Sequence, residues 1–375
     1  MSTDIELIIE ACKNEQNPKR VKELMRLVKE WDAFIDLAYA HGVFPLVYKT
    51  LKNYAELIPQ DILHSMKMSN MQIVKENMLM SAELIKVMKL LEQNGIKAIA
   101  FKGPTLAQLA YGDIALRQYS DLDILIQYKD IEKTTKILKN NFYTPIHILE
   151  NYQQEKLEHV VHDMAFQNIK NNVLLECHWV LSSGEFHIDM TKWNDLHQPT
   201  FQTIQKTKIS TLANEKLMVY LCVHGYKHMW ERIEWLVDII KLDLNSNINW
   251  HETLSLANDI QAKRILLSSL YLCDKLLNMQ LSQDIKQEID KDKKLKNISH
   301  LMLKKITKSY NTTTISTHSK HISIIQFYML QTTRNRLLYI LTLFQPTEQD
   351  YKIIKLPKYL SFLYYFIRPI NILIK

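Results

Sequence analysis

The spacing of apolar and polar positions divides the chain into stretches of different period. From residue 3 to about 81 apolar residues recur at helical spacing, broken by a turn at His41-Gly42-Val43-Phe44-Pro45. A long helix is predicted over 61–93, with Asn94-Gly95 as its stop. The period then shortens. Residues 96–101 form an apolar run suited to a buried strand, closed by Lys102-Gly103-Pro104. A helix capped by Thr105 follows over 105–111, and 122–126 is a second strand. Asp130 is placed to cap a helix through Leu138 that ends at Asn140-Asn141. Residues 165–169 and 173–179 predict a hairpin across Lys170-Asn171-Asn172. After Trp193 the pattern is helical again, amphipathic over 214–226, 232–242 and 250–277. The charged stretch 284–296 predicts a solvated helix or linker, and the Ser/Thr-rich stretch 310–320 a mobile loop.

This order of elements predicts an α+β chain, predominantly helical, with a small mixed sheet flanked by helical regions. The expected divisions are N-terminal helices over 1–80, the sheet unit over 81–195, a helical domain over 196–300, and loop plus helical tail over 301–375. At 375 residues the core needs no staples. Only six glycines occur, so Gly95, Gly103 and Gly112, clustered ahead of the second strand, mark a local departure from helix. Cys12, Cys177, Cys222 and Cys273 lack metal-type spacing and read as buried thiols of a reducing, cytoplasmic setting. No run of ~18 uninterrupted apolar residues predicts a spanning helix, and acids at 4, 6 and 10 argue against a signal peptide. A net charge of +7 is mild for this size; it permits an anionic substrate without demanding nucleic acid.

The candidate chemistry lies in Ser120-Asp121-Leu122-Asp123-Ile124-Leu125-Ile126. Acids at i and i+2 of a strand share one face and repel each other, a cost that a cation between them removes. Hard oxygen ligands of this kind suit Mg²⁺, with Mn²⁺ as a substitute, and point to phosphate chemistry. A third acid is expected from a neighbouring strand, and Glu176 sits mid-strand between apolar residues, with His178 at i+2 on its face. Lys102-Gly103 directly after the first strand offers a point charge and a close backbone approach for phosphates, beside a helix N-terminus. Arg117 is placed to clamp a phosphate bidentately, and Ser120 completes the phosphate-side set. Blander readings stand beside these: a Glu176–Arg117 ion pair, a solvent-reaching Lys102, a satisfied core histidine at 178. His159 and His162 read as surface histidines on a polar strand or turn. His224 and His228 share a helical face, but Gly225 replaces the glutamate of a His-Glu-x-x-His zinc site. With Lys227 and Arg232 they read instead as a groove lining, and Trp230 and Trp235 as core.

Lys102-Gly103-Pro104-Thr105-Leu106, then Tyr111-Gly112-Asp113, then Arg117-Gln118-Tyr119-Ser120-Asp121-Leu122-Asp123 resembles the signature of a bacterial nucleotidyltransferase family. That family belongs to the DNA polymerase β-like superfamily and is often encoded beside polysaccharide or modified-peptide biosynthesis. Residues 38–46 (AYAHGVFPL), 175–179 (LECHW) and 224–238 (HGYKHMWERIEWLVD) match it too, as do Pro346, Asp350-Tyr351, Leu356-Pro357 and Ile367-Arg368-Pro369. The chain departs from the broader superfamily in having Lys102-Gly103 where Gly-Gly or Gly-Ser is usual, and in a longer interval to the first Asp.

The resemblance implies a nucleotidyltransferase fold with Asp121, Asp123 and Glu176 as metal-binding acids. The expected reaction is metal-dependent transfer of a nucleoside monophosphate from a nucleoside triphosphate, ATP included, to an acceptor hydroxyl or phosphate. Glu176 or His178 would take the acceptor proton, and Lys102 and Arg117 would neutralise the triphosphate. The acceptor (small molecule, peptide or RNA) is open at this point. Kinase-like γ-phosphoryl transfer and a catalytically silent nucleotide-binding module are the rivals. Residues 351–375 hold no acid and mix lysines with aromatics, which suits packing on the body or peripheral membrane contact.

Overall fold

Caps and breakers set the helices. In this computed structural model, which describes residues 2–146, 163–181, 196, 199–309, 324–342, 344, 346, 356 and 358–374, Ser2 caps α1 (Thr3–Cys12). Asn17 caps α2 (Pro18–Met25), with proline at its first position. Next come α3 (Trp31–Ala40) and α4 (Phe44–Leu51), on either side of a turn in which Gly42 takes a φ of +70°. The long helix α5 (Gln60–Gln93) ends at Asn94-Gly95, as the sequence predicts.

β1 (Ala98–Ala100) leads into α6 (Gly103–Tyr111), then β2 (Asp121–Ile126), α7 (Ile131–Asn140) and β3 (Tyr143–Pro145). β4 (Asp163–Asn168) and β5 (Leu174–His178) form the expected hairpin. Thr105 does not cap α6: Lys102 occupies the cap position, and the Thr105 hydroxyl donates to the Lys102 carbonyl at 2.7 Å. The sheet order is β1-β2-β5-β4-β3; β2 and β5 are parallel and the other pairs antiparallel. The mixed sheet and the helical surroundings agree with the sequence reading.

The region after Trp193 is not wholly helical. β6 (Thr200–Ile204) and β7 (Thr207–Thr211) make a second hairpin, with Ile204 paired to Thr207 across a two-residue loop. Helices resume with α8 (Asn214–Lys227) and α9 (Ile233–Asn245). The predicted helix over 250–277 is two, α10 (Trp250–Asp259) and α11 (Lys263–Leu277), broken where Gln261 takes a φ of +61°. The charged stretch forms α12 (Gln283–Lys291), which is packed rather than solvated all round because Ile285 and Ile289 are buried. α13 (Lys293–Ser309), α14 (Ile324–Met329), α15 (Thr333–Thr342) and α16 (Tyr364–Ile374) follow. The predicted loop at 310–320 lies outside the described residues, as do His159 and His162.

Two apolar clusters organise the molecule. One joins Leu84, Val87 and Leu91 of α5 to Leu122, Ile124 and Cys177 on one sheet face, with Ile204 and Ile209 of the second hairpin. The other runs from Ile5 through Phe44 to Leu270 and Met302, so helices before and after the sheet share one core. Phe101 and Leu125 join that second cluster from the opposite sheet face.

Candidate active site

Strand register brings the acids together. In the parallel pair β2–β5, Asp123 lies beside Glu176, while Asp121 lies beside Leu174. Side chains two apart share a face, so Asp121, Asp123, Glu176 and His178 all project away from α5. Ligand atoms of Asp123, Glu176 and His178 lie within 4.8 Å of one another. The sequence grouped Asp121 with Asp123 and Glu176 as ligands and set His178 on the same face; the ligand atoms that cluster are those of Asp123, Glu176 and His178. Asp121 stands one same-face position before Asp123 on β2, the counterpart of His178 after Glu176 on β5. Its carboxyl nonetheless senses the site, being raised by burial and then by the negative charge of Asp123.

Asp123 is 2% exposed. Its Oδ1 accepts from Lys102 Nζ at 3.1 Å and lies 3.1 Å from His178 Nε2. Burial pushes this carboxyl upward, but the Lys102 charge and the His178 hydrogen bond outweigh it and hold it well below the usual range. His178 Nε2 also lies 3.4 Å from Glu176 Oε2. Burial lowers the imidazole, and the bonds to Asp123 and Glu176 reverse that, raising it to about 9. The two carboxylates thus favour the charged imidazole. Lys102 is likewise raised by Asp123 against burial, so it is neither solvent-reaching nor uncommitted. Asp123 Oδ2 is buried with no hydrogen-bond partner among the described residues. An orphaned carboxylate oxygen beside a second carboxylate is a donor set that fits a hard divalent cation.

A cleft of about 350 Å³ lies between α3, α5, the Lys102–Gly103 turn, the 117–121 segment and α8–α9; none of the trio lines it, but Lys102, which does, donates to Asp123. Ser120, Asp121, Lys102 and Gly103 line the cleft. Gly103 has a φ of +53°, and a Cβ there would stand 3.2 Å from the Asp121 carbonyl, so the glycine lets the α6 N-terminus close on β2. Arg117 also lines the cleft, but its fork is engaged: Nε donates to Asp238 Oδ1 at 2.8 Å and Nη2 to Oδ2 at 2.9 Å. The phosphate clamp expected from sequence is thus an internal bidentate pair, and Arg117 does not bridge to Glu176. Tyr111 donates to the same Asp238 at 2.7 Å.

His224 and Arg232 line the cleft as the groove reading expects, whereas Lys227 and His228 are not part of its lining. Trp230 is core as expected, but Trp235, read as core from sequence, lines the cleft instead. The His224 and His228 rings are 4.9 Å apart, but neither belongs to a metal-type cluster among the described residues. Burial, then the Lys102 charge, lowers His224 well below its ordinary value. Gly225 serves packing, since a Cβ there would stand 2.6 Å from Trp230 Nε1. Sequence reasoning passed over Asp238 and Glu234 as site residues. Both are buried acids within the apolar run of α9, and an acid on a core-facing helical stripe was the available signal.

The segments 38–46, 102–123 and 224–238, which bear three of the motif blocks, meet around this cleft. Glu234 N–H donates to the His41 carbonyl at 3.2 Å, and Phe44 N–H to Gln118 Oε1 at 3.0 Å. Residues 28–278 match a family described as uncharacterised nucleotidyltransferases. The chain belongs to this family. Among solved structures, the antibiotic-resistance factor ANT(2'')-Ia aligns with a TM-score of 0.36 at 9% identity, covering 52% of this chain and 98% of that one. An antigenic nucleotidyltransferase-like protein from Paracoccidioides brasiliensis aligns with a TM-score of 0.32 at 17% identity, covering 53% and 96%. No curated protein matches the chain. As a member of its family this nucleotidyltransferase is an enzyme acting on a nucleotide. Among the described residues, no helix is long and apolar enough to cross a membrane.

Proposed function

We propose that this nucleotidyltransferase transfers a nucleoside monophosphate from a nucleoside triphosphate to an acceptor hydroxyl, with Mg²⁺, or Mn²⁺ in its place, held by Asp123 and Glu176 and supported by Asp121. The observation that carries the reading is the Asp123–Glu176–His178 convergence beside an open cleft, with Asp123 Oδ2 lacking a partner. A bound divalent ion would supply polarisation of the α-phosphate and acidification of the acceptor hydroxyl. The acceptor oxygen attacks the α-phosphorus, the bond to the β-phosphate oxygen breaks, and pyrophosphate leaves. Glu176, part-exposed with its Oε2 3.4 Å from His178 Nε2, accepts the acceptor proton. His178, held as a donor, orients Asp123 and Glu176. Lys102 fixes Asp123 and adds positive charge where the phosphates lie. Ser120 and the Gly103 end of α6 face the same space. Four free, buried cysteines support a reducing, cytoplasmic setting. The acceptor is sought first among sugar phosphates and peptides, the biosynthetic setting that the family resemblance implies.

Incubation with α- and γ-labelled triphosphates and a cell extract tests this. The α label is expected on the product, and Asp123→Asn is expected to lower turnover by about a hundredfold or more while circular dichroism stays unchanged. Transfer of the γ label would move the assignment to a kinase-like reaction. Full turnover by Asp123→Asn would reject the site.

A further inference from the structure

The C-terminal end leaves an unusual amount of apolar surface in solvent. Leu337, Ile340 and Leu341 of α15 are exposed. Beyond them, Tyr359 (77%), Phe362 (56%) and Phe366 (68%) are exposed, with Tyr365 and Ile370. On α16 the burial is one-sided. Tyr364 and Arg368, one turn apart, are buried, while Phe366 and Ile370, also one turn apart, are exposed on the opposite side and Tyr365 is exposed between the two. The helix therefore packs by one side and presents an aromatic side outward.

Charge says what that side fits. Between 324 and 375 the sequence has seven Lys and Arg against only Glu348 and Asp350, which is five of the chain's seven net positive charges. Residues 351–375 contain no acid. A second copy would bring the same acid-free, basic sequence against itself, whereas an anionic surface complements it. Aromatic side chains beside lysines are the combination that settles at the boundary of headgroups and acyl chains. No described helix can cross a bilayer, so the segment would lie on one.

We propose that the C-terminal segment docks the protein peripherally on an anionic phospholipid surface, with Tyr359, Phe362 and Phe366 entering the interface and the basic, acid-free sequence of the segment supplying the attraction to the headgroups. Sedimentation of the full chain with phosphatidylcholine vesicles, with and without phosphatidylglycerol, tests it. Binding to the anionic vesicles is expected to be about tenfold or more stronger and to weaken with salt. Phe362→Ser with Phe366→Ser, and separately Lys355→Glu with Lys358→Glu, should each lower it about tenfold, while triphosphate turnover in solution is unchanged. Equal binding to both vesicle types, or none, would overturn the proposal. So would light scattering that shows a dimer which the Phe variants convert to monomer, since the face would then serve self-association.

Discussion

Asp238 holds its place by spending both oxygens inside the protein, on the Arg117 fork and on Tyr111. A buried pair of this kind contributes little over an apolar substitute, but breaking it strands a charge at a cost of about 3–5 kcal/mol. Arg117→Ala is therefore expected to lose stability on that scale in urea unfolding. Arg117→Lys should recover part of the loss, because a single ammonium cannot reproduce two parallel bonds. Were Arg117 instead a phosphate ligand, the lysine variant would raise KM for the triphosphate at unchanged stability. Glu234 makes a second residue-level prediction. Burial raises its carboxyl to about 7, against the pull of Arg232. The folded protein thus keeps this proton between the ordinary carboxyl value of 4.5 and about 7, where the unfolded chain has released it. The resulting stabilisation is complete below that window and disappears as pH rises through about 7. Its size is at most about 3 kcal/mol. Glu234→Gln should flatten the stability–pH curve over this interval; an unchanged slope would show that Glu234 titrates normally.

At the scale of elements, the second hairpin shows why part of the fold stayed hidden. Its turn places Gln205 and Lys206 at φ of +45° and +67°, the left-handed pair that a two-residue hairpin needs and that Asn-Gly usually supplies. Without that pair, and with polar residues on both strand faces, 200–211 carries no hairpin signal. Replacing Gln205-Lys206 by Asn-Gly should relieve the backbone and stabilise the protein by about 0.5–1 kcal/mol, read as a rise in melting temperature. Gln261 likewise breaks a helix without glycine or proline. The site strands were legible for the opposite reason. Acids at alternate positions within β2, and Glu176 within β5, contradict the apolar pattern around them, and the chemistry shows through that contradiction. The β2–β5 register could not be read, and it is what sets Asp123 beside Glu176. Arg117 was legible as a site residue but not its partner, because Asp238 lies 121 residues away in sequence.

At the scale of the whole molecule, the cleft exists because helices from both ends of the chain share one core and close over one face of the sheet. Gly42 sits at that closure. Its φ is +70°, and a Cβ there would stand 1.7 Å from Glu234 Oε2 and 2.6 Å from Arg232 Nη2. Gly42→Ala therefore carries two costs of different origin. One is backbone strain of about 1 kcal/mol, which belongs to position 42 alone. The other is displacement of Glu234 and Arg232, both of which line the cleft. The two separate in a double-mutant cycle. Truncating Glu234 removes the nearest clash but leaves the strain, so Gly42→Ala should cost less in a Glu234→Ala background than alone, with a coupling of about 1–3 kcal/mol. Substrate KM should follow the clash rather than the strain, because only the clash moves the cleft wall. Strict additivity in unfolding free energy would mean that the N-terminal turn and α9 do not bear on each other. The cleft would then owe its shape to the sheet and the Lys102–Gly103 turn alone.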